Sequence, residues 1–163
     1  MTAAVIIDLG AGDAPSQGAI AFDRRMRPTT RVVGDVRALP FRTGVADVLV
    51  SHHCLEHLSR DEGREALAEW LRVLKPSGIL EIAVPDLEAC ARTVLRGIAS
   101  KNDALVAQIT ANIYGGQSYA ENFHKWGYTL STLTQVLHTA GFATVTHLVP
   151  SDVHEVRVTA SRG

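Results

Sequence analysis

The segment HHCLEHL, residues 52–58, carries three histidines and one glutamate within six positions. From His53 to His57 it spells H-x-x-E-H, the pattern of an inverted zinc metalloprotease helix. Histidine nitrogens and carboxylate oxygens are common zinc ligands. Short motifs also arise by chance, so the elements around this segment decide whether it can bind a metal.

A second group of residues that could do chemistry stands where the apolar runs of the chain stop. Glycines after the first run let the backbone turn tightly and lie against a ligand, because they have no Cβ. A carboxylate after the second run can accept from both ribose hydroxyls of a nucleoside, and one after the third can accept from the amine of adenine. These residues are Asp8, Gly10, Ala11 and Gly12 after the first run, Asp23 after the second, Asp35 and Val36 after the third, and Ser51, His52 and His53 after the fourth.

The spacing of these residues argues against a dinucleotide cofactor. A dinucleotide fingerprint has three glycines, G-x-G-x-x-G, and an acid about 20 residues further on. Here Gly10 and Gly12 have no third glycine, and Asp23 follows Gly12 after eleven residues. Three acids with no lysine among them suit a nucleoside that carries a positive charge better than a pyrophosphate.

The elements that must position these residues are predicted to form an α/β sheet. Near-continuous apolar runs alternate with helical patterns, which favours a doubly wound, mostly parallel sheet covered on both faces, in a single domain over 1–163. Ligands of such sheets bind beyond the carboxyl ends of the strands. The last two runs should pair as an antiparallel hairpin at one edge. The seven runs are 3–8, 19–22, 31–33, 45–50, 79–84, 143–149 and 154–160.

Three helices are predicted from capping residues and apolar spacing. The first begins at Ser59 in a capping box and stops at the P-S-G of 76–78. The second begins after Asp86, and the third runs from Thr129 to Gly141. The inward faces are expected to be Leu67, Trp70, Leu71 and Leu74 in the first, Leu87, Cys90, Ala91, Val94, Leu95 and Ile98 in the second, and Leu130, Leu133, Val136, Leu137 and Ala140 in the third.

The composition is that of an ordinary soluble globular protein, with 46% hydrophobic and 20% charged residues. A formal net charge of −1 predicts no nucleic-acid partner. No apolar run approaches the roughly 20 residues that span a membrane, and the N-terminus lacks the pattern of a signal peptide. Cys54 and Cys90 have no C-x-x-C spacing and should remain thiols, which favours a cytoplasmic location.

The order of these motifs resembles that of the class I S-adenosylmethionine-dependent methyltransferases. The resemblance implies a Rossmann-like, seven-stranded sheet with a shortened first helix, and the cofactor S-adenosyl-L-methionine with its product S-adenosyl-L-homocysteine. It is carried by DLGAGD, FD, GDVRALPF, ADVLVSHHCLEHL and EWLRVLKPSGILEIAVPD. The run IYGGQSYAENFHKWGYT, followed by LTQVLHTAGF, is similar to short bacterial predicted methyltransferases in which the first helix is nearly deleted.

The resemblance implies a role for each residue at the strand ends. The short loop between Gly12 and Asp23 implies that the helix that usually caps the methionine carboxylate is missing or reduced, with modest affinity as a consequence. The implied roles are Gly10 to Gly12 for the methionine part, Asp23 for the ribose, Asp35 with Val36 for the adenine, and Ser51 and His52 under the transferred methyl group; Asp8 completes the cofactor set. Arg24 and Arg25 follow Asp23 directly and could close over the adenine.

The histidine segment is then better explained without a metal. These methyltransferases carry a similar LEH run directly after the fourth strand. A zinc site of the inverted type needs both histidines on one face of a helix, whereas the helix here is expected to start near Ser59, after the motif. We therefore expect no metal, and a local role for Glu56 and His57 in the turn from strand to helix.

A base is needed if the acceptor is a hydroxyl or an acid, because its proton must be removed during methyl transfer. Histidine suits that role near neutral pH. The catalytic candidates are His124 and His53, with His52 beside them. His124 lies in NFHKWGY, which is expected to be a loop near the acceptor together with Tyr114, Tyr119, Asn122 and Trp126.

Several functions remain open from the sequence. The first is methyl transfer to an oxygen or nitrogen of a small metabolite or natural-product intermediate. The alternative is a catalytically silent S-adenosylmethionine-binding module, or a subunit that depends on a partner; a homodimer is also left open. A cyclisation assisted by the same cofactor is a third reading. The acceptor itself cannot be read, because acceptor pockets are built from loops and the fold does not specify substrate.

Overall fold

The computed structural model describes residues 3–162. In that part of the chain, seven strands form one sheet in the order β3-β2-β1-β4-β5-β7-β6. All neighbouring strands are parallel except β7, which is antiparallel to both β5 and β6. The strands are β1 (Ile6–Leu9), β2 (Ile20–Asp23), β3 (Val32–Val33), β4 (Ala46–His52), β5 (Leu74–Pro85), β6 (Thr144–His147) and β7 (Glu155–Ser161), and the helices are α1 (Arg60–Val73), α2 (Leu87–Ala99), α3 (Asp103–Tyr114) and α4 (Leu130–Ala140).

The predicted fold class is confirmed: a Rossmann-like, mostly parallel, seven-stranded sheet that ends in an antiparallel hairpin. The outer strand of that hairpin, β6, forms the edge, while β7 inserts between β6 and β5. The shortened first helix is also confirmed, because residues 10–19 contain turns and no helix.

The junction between α1 and β5 differs from the prediction. The helix ends at Val73, and Leu74 already pairs with Ala46 as the first residue of β5. The next pair is Val48 with Ile79, so residues 75–78 loop out of the ladder. Proline has no backbone N–H to give to a sheet, which explains why the P-S-G sequence interrupts the pairing without ending the strand.

The two faces of the sheet are covered unequally. The row Ile7, Leu49 and Leu80 is fully buried in the core that α1 and α4 complete. The adjacent residues Ile6, Val48 and Ile79 point to the opposite face and are less buried, and Ile79 is 43% exposed. The expected cover on both faces is therefore incomplete. The reason lies in the connections that follow β1, β2 and β3, none of which forms a helix in the described chain.

The region after β5 forms a helical hairpin, of which the sequence predicted only α2. The side of α2 that is buried carries Cys90, Thr93 and Gly97, whereas Leu95 and Ile98 of the predicted inward face are exposed. The prediction of that face is wrong because α2 packs chiefly against α3, which was not foreseen. No helix within residues 3–162 is long and apolar enough to cross a membrane.

Candidate functional site

A cavity of about 480 Å³ opens where β1, β2 and β4 end. Small-molecule sites in proteins measure about 300–1,000 Å³, so its size suits a cofactor. Among the predicted site residues, those that line it are Gly10, Gly12, Asp23, Arg24, Asp35, Val36, His52 and His53. The sheet thus brings together residues from four separate strand ends, as the sequence predicted.

Three predicted cofactor residues lie behind the cavity wall and do not line it. Asp8 is 5% exposed, and its Oδ2 accepts the N–H of Ser16 at 2.7 Å, which holds the loop after β1. The N–H of Ala11 donates to the carbonyl of Phe22 at 3.1 Å. Ser51 is fully buried, and its hydroxyl makes no hydrogen bond to any residue within 3–162.

The turn after β1 depends on glycine. Gly10 and Gly12 have φ angles of +73° and +56°, in the left-handed region that other residues avoid. A Cβ on Gly10 would lie 2.8 Å from Sγ of Cys54, so the backbone and the histidine segment approach each other closely here. The floor of the cavity therefore has no room for a side chain at residue 10.

Asp23 is held so that it can still accept hydrogen bonds from a ligand. Its Oδ2 accepts the N–H of Gly12 at 3.0 Å, and its Oδ1 accepts the N–H of Arg25 at 2.8 Å. Each carboxylate oxygen offers about two acceptor sites. One site on each oxygen remains, which matches the two adjacent hydroxyls of a ribose.

Asp35 is paired with an arginine that the sequence reasoning missed. Arg37 donates to both carboxylate oxygens, through Nη2 to Oδ2 at 2.7 Å and through Nε to Oδ1 at 3.0 Å. These bonds lower the pKa of Asp35 to about 2, while partial burial opposes the shift. The neighbouring carbonyl of Val36 accepts the indole N–H of Trp70 at 2.9 Å, which fixes this wall of the cavity to the core.

His53 stands between two buried carboxylates. Its Nε2 is hydrogen-bonded to Oε2 of Glu155 at 3.1 Å, and its Nδ1 lies 3.4 Å from Oε1 of Glu56. The carboxylate of Glu56 is the main cause that raises the pKa of His53, and burial opposes it. The backbone of His53 has a φ of +53°, a conformation that costs free energy in a residue with a Cβ.

His124 comes from a distant part of the chain and also lies near Glu56, but it does not line the large cavity. Its Nε2 lies 3.9 Å from Oε1 of Glu56, and its ring packs edge-on against His57 with the centroids 4.8 Å apart. Burial lowers the pKa of His124, and the Glu56 carboxylate opposes that shift. The third histidine candidate, His52, is hydrogen-bonded through Nε2 to Glu81 at 3.0 Å.

The loop that follows α3 covers one side of the cavity. Tyr119 lines it, and the guanidinium of Arg25 stacks on the Tyr119 ring at 4.2 Å from the centroid, a cation–π contact. Of the other aromatic and amide residues predicted near the acceptor, none lines this cavity. Arg25, predicted with Arg24 to close over the adenine, lines it too. Residues that line it without having been assigned to it are Arg27, Cys54, His57, Leu58, Ala120, Glu121 and Lys125.

A family model described as a methyltransferase domain matches residues 10–82, the part that contains the glycine turn, the strand-end acids and the histidine segment. The strand order with its reversed seventh strand agrees with that match. The match covers less than half of the chain, and it supports the predicted resemblance to the class I S-adenosylmethionine-dependent methyltransferases. No curated protein matches it in sequence.

Solved structures of other methyltransferases share the fold at low sequence identity. A Thermotoga maritima S-adenosylmethionine-dependent methyltransferase, described as a possible histamine N-methyltransferase, has a TM-score of 0.65 at 18% identity over 100% of this chain and 84% of its own. The 1,6-didemethyltoxoflavin-N1-methyltransferase of Burkholderia thailandensis was solved with S-adenosylhomocysteine. It has a TM-score of 0.63 at 20% identity over 96% of this chain and 70% of its own. A putative methyltransferase in complex with the Trm112 activator of Haloferax volcanii has a TM-score of 0.62 at 13% identity over 98% of this chain and 82% of its own.

The cofactor of this methyltransferase superfamily is S-adenosyl-L-methionine, and the residues of the cavity fit it. Asp23 keeps one acceptor site on each oxygen for the ribose, and the glycine turn leaves the cavity floor free of side chains. When bound, the cofactor supplies the activated methyl group, and the protein has to hold donor and acceptor in line.

Proposed function

We propose that this methyltransferase transfers a methyl group to an oxygen or nitrogen of a small metabolite or natural-product intermediate. The observation that carries the proposal is that one cavity is lined both by the acids Asp23 and Asp35 and by His52, His53 and His57. A nucleoside cofactor on the acids would leave its methyl group toward the histidines, where a small acceptor can approach.

At the cofactor end, the proposed contacts follow the geometry. Asp23 would accept from both ribose hydroxyls, and Asp35 with Val36 would hold the adenine, under Arg24. The turn of Gly10, Ala11 and Gly12 would hold the methionine part, with Asp8 and Ser51 supporting it from behind. Arg24 supports this arrangement, since its Nη1 lies 3.8 Å from Oδ2 of Asp35.

At the acceptor end, His53 is the proposed base. The acceptor's lone pair forms the new bond to the methyl carbon, the electrons of the broken bond return to sulfur, and the acceptor's proton passes to the imidazole. Glu155 orients the ring through its bond to Nε2. His124, the other candidate base, does not line the cavity. Its proposed role is to position Glu56 and His57, without contact to the acceptor.

The test is methyl transfer from labelled cofactor to a panel of small hydroxyl, carboxyl and amine compounds, read as a mass gain of one methyl group. His53→Gln should lower kcat by about 10²–10⁴-fold, the usual contribution of a general base, and should keep cofactor binding. His147→Gln on the exposed part of β6 is the matched control and should leave the rate unchanged. Equal rates for His53→Gln and the unsubstituted protein would exclude His53 as the base.

A silent cofactor-binding module or a partner-dependent subunit is the second candidate. The incomplete cover of the sheet favours it, because Ile79 and its row leave apolar surface open to another chain. The Haloferax volcanii relative is itself solved with an activator protein. Cofactor binding without transfer to any acceptor would favour this candidate, and light scattering would show whether the chain forms a homodimer. Product without a methyl gain would indicate cyclisation instead.

We infer a single domain over 1–163, which the one continuous hydrophobic core of the described residues supports. We also propose a cytoplasmic location, which the unpaired thiols of Cys54 and Cys90 support.

A further inference from the structure

Glu56 is a buried carboxylate without a hydrogen-bond partner. The residue is 1% exposed, and neither of its carboxylate oxygens is hydrogen-bonded to any residue within 3–162. The nearest nitrogens, Nδ1 of His53 at 3.4 Å and Nε2 of His124 at 3.9 Å, do not make hydrogen bonds with it. A buried charge is costly unless it is paired or coordinates a metal, so this side chain requires a partner.

The imidazole of His57 is arranged as that of a metal ligand usually is. Nδ1 of His57 lies 3.1 Å from the carbonyl oxygen of Phe123. Because a carbonyl only accepts, Nδ1 carries the proton and Nε2 keeps a free lone pair. A ligating histidine commonly donates its second ring N–H to a backbone carbonyl in this way, which fixes the tautomer and the orientation of the ring.

The donor atoms of Glu56, His57 and His124 are already close together. One ligand atom from each residue lies within 4.8 Å of the other two. In a tetrahedral zinc site, bonds of about 2.0–2.1 Å place the ligand atoms roughly 3.3 Å apart. Rotation of the three side chains would have to close this difference.

The backbone holds the two ligand-bearing segments together. The carbonyl of Glu56 accepts the N–H of Lys125 at 2.8 Å and that of Trp126 at 3.2 Å. The segment that carries His124 is therefore tied directly to the turn that carries Glu56 and His57. This link lies between residues far apart in the sequence, and it fixes the cluster in place.

We propose that Glu56, His57 and His124 form a binding site for a divalent transition-metal ion such as Zn²⁺. The donor set of two imidazole nitrogens and one carboxylate favours zinc and its neighbours over magnesium or calcium, which prefer oxygen ligands. This site differs from the zinc site rejected from the sequence, in which His53 and His57 would share one face of a helix. In the structure His53 is bonded to Glu155 instead, and His124 supplies the third ligand from elsewhere.

The site would leave a coordination position for a water molecule or a substrate oxygen, since three protein ligands do not complete a tetrahedron. His57 lines the cofactor cavity, so the ion would lie at the wall of that cavity. If the proposed methyl transfer holds, the ion would bind the oxygen of a hydroxyl acceptor and make its proton easier to lose. That step rests on the proposed function, whereas metal binding does not.

The test is titration of metal-free protein with Zn²⁺ by calorimetry, without cofactor or acceptor, and with Co²⁺ followed by visible absorption. We expect one ion per chain and the absorption bands of Co²⁺ in a low-coordinate site. Glu56→Gln, His57→Gln and His124→Gln should each weaken Zn²⁺ binding by at least about 100-fold. His147→Gln, on the exposed edge strand, should bind as the unsubstituted protein does.

Circular dichroism of each variant separates loss of a ligand from loss of the fold. If Glu56→Gln fails to fold, the His57 and His124 variants decide, since both side chains keep some exposure. The absence of stoichiometric binding, or binding that is unchanged in His124→Gln, would overturn the proposal. A negative result leaves the methyltransferase proposal untouched, because no cofactor takes part in the measurement.

Discussion

Gly10 lies so close to Cys54 of the histidine segment that no side chain fits between them. Its φ of +73° and the sulfur of Cys54 both exclude a side chain. Gly18 has nearly the same φ, +75°, and has open space around the position of a Cβ. The two glycines therefore separate the cost of the backbone conformation from the cost of the contact.

We predict that Gly18→Ala lowers the free energy of unfolding by about 1–2 kcal/mol, the cost of a left-handed residue with a Cβ. Gly10→Ala should lose a further 1–3 kcal/mol or so, because the new methyl group overpacks against Cys54. Urea denaturation of both variants measures the difference. Equal losses would show that Cys54 moves aside and that the close approach carries no cost.

Asp35 gives a prediction of pH dependence at the same scale. Its pKa in the folded protein is about 2, chiefly because Arg37 donates to both oxygens. The unfolded value is about 3.9. A depressed pKa of an acid adds stability above the unfolded value and loses it as the pH falls. The stabilisation by this pair should thus fade between about pH 4 and pH 2.

Arg37→Gln should raise the pKa of Asp35 toward its ordinary value, as measured by NMR titration of the carboxyl carbon. The loss of stability in this variant should also shrink as the pH falls from about 4 to about 2. A pKa of Asp35 that stays near 2 in Arg37→Gln would mean that the arginine is not the cause.

The strand-end residues show what the sequence could and could not predict at this scale. The positions of Asp23 and Asp35 at the cavity followed from parallel strands that end at one edge of the sheet. The pairing of Asp35 with Arg37 did not, because a residue two positions on can point anywhere in a loop. Burial of Asp8 and Ser51 was also unforeseen, since it depends on how the loop after β1 folds over them.

At the scale of elements, the sheet has one buried face and one partly open face. Ile79 and Leu80 are neighbours on β5 that point to opposite faces, and their exposures are 43% and 0%. We predict that Leu80→Ala lowers the free energy of unfolding by about 2–5 kcal/mol, the range for a buried leucine. Ile79→Ala should cost about 1 kcal/mol or less, because the cavity it leaves is open to water.

Thermal or urea unfolding of the isolated chain measures both variants. Light scattering belongs in the same experiment, because a second copy that covered the open face would make Ile79→Ala as costly as Leu80→Ala. Equal costs in a chain shown to be monomeric would contradict the unequal cover of the sheet.

Helix ends were predicted better than helix faces. The capping box at Ser59, the cap at Asp86 and the helix start at Thr129 are all present, and Gly141 ends α4 with a φ of +105°, since these signals are local. The inward face of α2 could not be predicted without α3. α3 has mixed apolar spacing and was not predicted, although the side chain of Asn102 caps it by accepting the N–H of Leu105.

At the scale of the whole molecule, the candidate site joins residues that the sequence cannot bring together. The side chains of His57 and His124 pack edge to edge, and no periodicity relates their positions. The sequence suggested each histidine separately, one as part of a turn and one as a base. Only the fold places both beside the buried Glu56, with the cofactor cavity on the other side of His57.

The central claim is that this cavity binds S-adenosylmethionine through Asp23, and calorimetric titration with S-adenosylmethionine and S-adenosylhomocysteine tests it most directly. We predict saturable binding of one ligand per chain. Asp23→Ala should bind at least about 100-fold more weakly, because two hydrogen bonds to a charged group are lost at about 1.5–3 kcal/mol each. Asp61→Ala, at a side chain that is 86% exposed on α1, should bind normally. Failure of the unsubstituted protein to bind either ligand, or equal affinity in Asp23→Ala, would contradict the claim.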